Sequence, residues 1–129
     1  MRTIKFKFWE VVGKEMITWE DINKEHLHDY LSLDENIVIP LQFTGLKDIN
    51  GIDIYEGDIL IDPAFEDNDI VGYYPVFFDN ETTSFCVDIS YNKDGSCGEN
   101  MVNYFSKEGL EVCGNIYENS KLLHPTAVL

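Results

Sequence analysis

Three carboxylates stand close together at the end of the run "LKDINGIDIYEGDILID": Glu56, Asp58 and Asp62. Paired carboxylates perform acid–base chemistry when their surroundings push their pKa values apart. A turn explains them equally well, with Asp58 bonding back to nearby amides and Glu56 exposed to water. A few residues on, Asp62, Glu66, Asp67 and Asp69 crowd a loop rich in oxygen ligands of the kind calcium or magnesium takes. The spacing lacks the glycine and the terminal glutamate of an EF-hand loop, so it predicts incidental cation binding at most. His26 and His28 are two apart in a helical pattern and point in different directions. With Cys86, Cys97 and Cys113 they make no zinc-ligand spacing. A thiol paired with His124 would be a nucleophile, yet Cys86 and Cys113 sit among apolar strand residues, where a small buried thiol is the simpler reading. Phosphate-cradling glycine loops are absent. No residue is therefore assigned as catalytic, cofactor-binding or metal-ligating.

Charge narrows the remaining classes. The 129 residues carry a net charge of −15, with 44% hydrophobic and 13% aromatic residues. That apolar content is too high for a disordered acidic tail and predicts one folded domain over 1–129. Between 48 and 92 there are eleven acids (Asp48, Asp53, Glu56, Asp58, Asp62, Glu66, Asp67, Asp69, Asp79, Glu81, Asp88) and no lysine or arginine. Direct binding to nucleic acid or to an anionic membrane is not expected, because phosphates call for clustered cations. Four of the nine basic residues, Arg2, Lys5, Lys7 and Lys14, lie in the first fourteen. The start "MRTIKFKFWE" lacks the apolar stretch of a signal peptide, and no run reaches a membrane span. A cytoplasmic location with free thiols is expected.

The elements that would position these groups are mostly strands. "TIKFKFWEVV" alternates, with Ile4, Phe6 and Phe8 on one face; Gly13-Lys14 turns; "EMIT" returns. "TWEDINKEHLHDYLS" changes period, and Thr18 followed by Asp21 predicts a capped helix over 19–32. "IVIPLQFTGL" is β-rich, with Pro40 suited to an edge, a bulge or a strand start. Asn50-Gly51 suits the positive φ of a tight hairpin turn. Glu56-Gly57-Asp58 predicts a second sharp bend before the apolar "ILI". Loop is expected at 62–72, a strand interrupted by Pro75 in "YYPVFFD", a strand in "TTSFCVDIS", turns at 92–100 and a strand in "MVNYFS". A last strand would end near Gly114-Asn115, with one helical turn at "SKLL". The fold class expected is mainly β (α+β): an N-terminal hairpin and helix over 1–36, then a small SH3-like β-barrel body over 37–129.

Taken together, "LQFTGLKDINGIDIYEGDILI" at 41–61, "VCGNIYENSKLL" at 112–123 and the opening "TIKFKFWEVVGKEMI" resemble the YopX family of phage and prophage proteins. Residues 19–36 and 62–107 fit only loosely, as variable regions would. The resemblance implies a small cytoplasmic protein encoded by a phage or integrated element, β-rich and of unknown biochemical function, with no catalytic residues to carry over. It also implies self-association, so a homo-oligomer is expected. Asn50, Gly51, Glu56, Gly57, Asp58, Gly114 and Asn115 are read as structural turn residues. The candidate interface is Tyr73, Tyr74, Val76, Phe77 and Phe78, an apolar run on both strand faces. The expected role is a non-enzymatic accessory protein binding itself or a host protein. Two others compete with it: an acidic decoy that occupies the basic groove of a host DNA-binding protein, and, more remotely, a small hydrolase using acidic residues.

Overall fold

The computed structural model describes residues 3–61, 73–88, 99–100 and 110–123. The loop expected at 62–72, the strand expected at "MVNYFS", Ile89, Cys97 and His124 lie outside them.

The hairpin forms as the alternation predicts. Strand β1 (Phe6–Glu10) pairs antiparallel with β2 (Glu15–Ile17), and Lys14 takes the left-handed φ of 53° in the turn between them. Phe8 is fully buried and forms a small core with Ile22 and Val38, against which Phe6, Ile17, Trp19, Leu27 and Tyr30 pack. The helix expected over 19–32 is shorter. A 3-10 turn covers Lys24–His26 and the α-helix, α1, only Leu27–Ser32. The cause is a second cap. Thr18 does cap, but its carbonyl takes the Asp21 and Ile22 amides in an isolated turn. Asn23 then accepts the Glu25 amide through its side chain and starts the helical run anew.

Strand β3 (Val38–Lys47) is the spine of the first sheet, of order β2-β1-β3-β4, where β4 is Asp53–Tyr55. It pairs with β1 through residues 38–42 and with β4 through Phe43 and Lys47, with an irregularity between those two in which Gly45 adopts φ +89°. Pro40 is tolerated because of this change of partner. The Phe43 amide donates toward β1 and the Gln42 amide away from it. Pro40, two before Gln42, therefore aims its missing donor at an edge that β4 does not reach.

The second sheet has the order β8-β7-β6-β5-β9, with β5 Asp58–Ile61, β6 Tyr73–Asp79, β7 Ser84–Val87, β8 Glu99–Asn100 and β9 Glu111–Asn115. Pro75 does not interrupt β6. It falls where that strand passes from β5, its partner through 73–75, to β7, its partner through 76–79. Of the turns expected at 92–100, residues 92–98 lie outside the described residues, and 99–100 form β8, which pairs with β7. The main core lies on this sheet: Ile54, Leu60, Tyr74, Val76, Val87 and Leu110, with Leu46, Phe85 and Val112 beside them. "SKLL" makes the single turn expected, as a 3-10 helix at Ser120–Leu122. The whole is a mainly β body, with one sheet curled as a half-barrel and a second sheet beside it. Among the described residues no helix is long and apolar enough to cross a membrane.

Candidate functional site

The two reversals of the opening motif do different work. Asn50-Gly51 closes the hairpin from β3 to β4, with Gly51 at φ +79°. Its organiser is Asp48, which is buried. One carboxylate oxygen accepts the amides of Asn50 (2.8 Å) and Ile52 (2.9 Å). The other accepts the Val112 amide of β9 at 3.0 Å. Asp48 thereby staples the hairpin to a strand 64 residues away.

Glu56-Gly57-Asp58 is a corner that carries the chain from the first sheet into the second. Gly57 has φ +89°, and a Cβ there would lie 3.1 Å from the Tyr117 ring. Its amide donates to the Val76 carbonyl and its carbonyl accepts the Ile116 amide, both at 2.9 Å. Backbone conformation and close approach both call for glycine. Asp58 is buried and accepts the Tyr55 amide at 2.8 Å. Burial pushes its pKa up to about 6, against the opposing pull of that amide and of Lys7. Glu56 is not exposed as expected. It is half-buried, its amide donates to the Gln42 carbonyl at 2.9 Å, and its Oε1 accepts the Gln42 amide at 3.3 Å. Burial raises its pKa too. The donor that β3 leaves unpaired at Gln42 is what holds this side chain in.

Gly114-Asn115 is a third structural turn. A Cβ on Gly114 would lie 2.6 Å from the Asn119 Oδ1, the oxygen that accepts the Asn115 amide. Asn115 Oδ1 accepts the amides of Tyr117 and Glu118. Tyr117 is thus set over Gly57 and stacks on Trp9 at 5.4 Å between ring centres, joining the first strand to the last turn.

One face of the first sheet gathers cations over rings. Lys5 and Lys7 Nζ each lie 4.6 Å from a ring centre, of Phe43 and Tyr55 respectively. Asp53 pairs with Lys5 and, at 3.4 Å, with Lys47. Burial works to raise the Asp53 pKa, but the two lysines outweigh it and hold the carboxyl below its usual range. Burial, with Asp53, Glu20 and Asp58 nearby, drives the Tyr55 phenol up to about 12, so it stays protonated. The alternation that sets Ile4, Phe6 and Phe8 on one face leaves Lys5 and Lys7 together on the other; their rings and the role of Asp53, on other strands, had no local signal.

The candidate interface divides. Tyr74 and Val76 belong to the core, and Tyr73 is half-buried at the start of β6. Phe77 and Phe78 remain exposed, with Phe78 edge-on to Phe85 at 5.2 Å. β6 lies inside its sheet, so these residues offer side chains rather than a free strand edge. Cys86 is buried as expected, whereas Cys113 is exposed, its thiol donating to the Ile59 carbonyl. Among the described residues no three His, Cys, Asp or Glu side chains gather as a metal site; the acidic loop 62–69 lies outside them.

No curated protein matches the chain. Among solved structures it is similar to the crystal structure of protein EF1440 from Enterococcus faecalis, at 23% identity and a TM-score of 0.65, over 95% of this chain and 99% of that one. That likeness shows a shared fold. The corner at Gly57, the Asp48 staple and the Gly114-Asn115 turn all lie within residues 4–124, which match the family model described as YopX protein, and the chain belongs to the YopX family.

Proposed function

We propose that this chain is a phage- or prophage-encoded accessory protein that acts in the bacterial cytoplasm by binding protein, itself or a host factor, without catalysing a reaction. The observation that carries this reading is the pair Phe77 and Phe78. Two adjacent aromatics stay exposed, one on each face of β6, with Phe78 braced by Phe85, and exposed aromatics are favoured as interface anchors. Two of the acidic groups that suggested chemistry are engaged by backbone amides, Asp58 by that of Tyr55 and Glu56 by that of Gln42. That argues against the hydrolase reading. The decoy reading also loses support, because Asp48 and Asp58 are buried and Asp53 is paired with lysines.

The test uses sedimentation of the purified protein and a tagged pull-down from bacterial lysate at low and high salt. Protein binding predicts self-association or a captured partner that survives high salt and is lost in the Phe77→Ser/Phe78→Ser variant, with the melting temperature little changed. A DNA-binding protein captured at low salt only would favour the decoy. A monomer with no partner under either condition would overturn the proposal.

A further inference from the structure

A second place for a partner lies away from β6, between the β1–β2 turn and α1. It is a groove of about 490 Å3, a size typical of binding pockets. Val12, Tyr30, Leu33 and Ile37 line it, together with Glu10 and Asp29. Val12 is 84% exposed, Ile37 49% and Leu33 42%. Single exposed aliphatics are ordinary, but three that converge on one concave surface are not. The walls are held by other contacts: the Val11 amide donates to the Ile37 carbonyl at 3.0 Å, and Tyr30 packs on Phe8 with ring centres 5.3 Å apart. The groove is therefore formed before anything enters it.

Charge selects the occupant. Two carboxylates line the groove, with no lysine or arginine among its lining residues, on a chain of net charge −15. His26, which also lines the groove, lies 3.4 Å from Asp29. Nucleic acid and anionic lipid are repelled. A second copy is also poorly matched: its exposed Phe77-Phe78 pair is followed by Asp79 and Glu81, and Lys5 and Lys7, beside its exposed Ile4, are already engaged by Asp53 and by the Phe43 and Tyr55 rings. We propose that the groove receives a segment of another protein that presents apolar side chains next to a lysine or arginine. This rests on the reading of the chain as a protein-binding module.

The experiment selects a random linear peptide library on the immobilised full chain. The enriched peptides are then measured against three variants with unchanged circular dichroism: Ile37→Ser, Glu10→Lys/Asp29→Lys, and Phe77→Ser/Phe78→Ser. The expected result is enrichment of peptides combining apolar residues with lysine or arginine. Their binding should weaken about tenfold or more in the first two variants and not in the third. Enrichment of acidic peptides, or no enrichment, overturns the groove. Peptides lost only in the Phe77→Ser/Phe78→Ser variant would overturn the groove and leave the protein-binding reading standing. An empty selection together with a monomer that captures nothing from lysate would remove both.

Discussion

A carboxylate buried as Asp58 is costs free energy only while it is charged. Its pKa is pushed up to about 6 by burial, from an ordinary value of 3.8. The folded chain therefore holds this proton more tightly than the unfolded chain does. The resulting stability is present below about pH 4 and is lost as the pH rises through about 6. At about 1.36 kcal/mol per pKa unit the loss is on the order of 3 kcal/mol. Asp58→Asn keeps an oxygen for the Tyr55 amide and cannot ionise. Urea unfolding of both proteins across this pH range should show the variant gaining on the parent by roughly that amount between about pH 4 and neutrality. A difference that stays flat would mean that the carboxylate is solvated in the folded state. The sequence already marked Asp58 as a turn residue, since an Asp after Gly bonds locally. It misread Glu56, because the amide that draws this side chain in belongs to Gln42, on another strand.

At the scale of elements, what was legible was local and what was missed was a partner far along the chain. The hairpin, the corner at Gly57 and the last turn each follow from a glycine with its neighbours. The helix was overdrawn because two caps, Thr18 and Asn23, divide one apolar pattern. Nothing near Asp48 showed that its second oxygen holds Val112. That bond, with the Ile49 amide on the Leu110 carbonyl, ties the Asn50-Gly51 hairpin to β9. Asp48→Ala would leave three amides without their acceptor, two in the turn and one in β9, at a cost of about 3 kcal/mol or more. Hydrogen exchange is the sensitive probe. The amides of Asn50, Ile52 and Val112 should speed up together in the variant, although Val112 is remote in sequence. If Val112 keeps its protection while the turn loses it, the Asp48 carboxylate is not what couples the two elements, and the Ile49 amide on the Leu110 carbonyl, at 3.1 Å, holds them together without it. Asp34→Ala, which removes one exposed bond to the Asn36 amide, is the control and should leave all three unchanged.

For the whole molecule the governing quantity is the imbalance of 24 acids against 9 basic residues. Among the described residues the pairs made by Lys5, Lys47 and His26 engage only Asp53 and Asp29, so attraction there is concentrated in a few contacts. Repulsion is spread over the molecule and acts across distances comparable with the Debye length, about 30 Å at 0.01 M salt and about 8 Å at 0.15 M. Screening therefore removes more repulsion than attraction. The Lys5–Asp53 pair is also partly buried, where salt weakens it less. The melting temperature should rise by a few degrees between these salt concentrations at neutral pH, with most of the gain at the low end. A fall would mean that the lysine ladder over Phe43 and Tyr55 outweighs the acidic excess. The same screening acts on the groove at Glu10 and Asp29. A basic segment bound there should lose affinity over the range in which the fold gains stability, whereas contacts made through Phe77 and Phe78 should hold. Salt thus separates the two surfaces by sign: the one that weakens is held by charge, and the one that persists is held by apolar area.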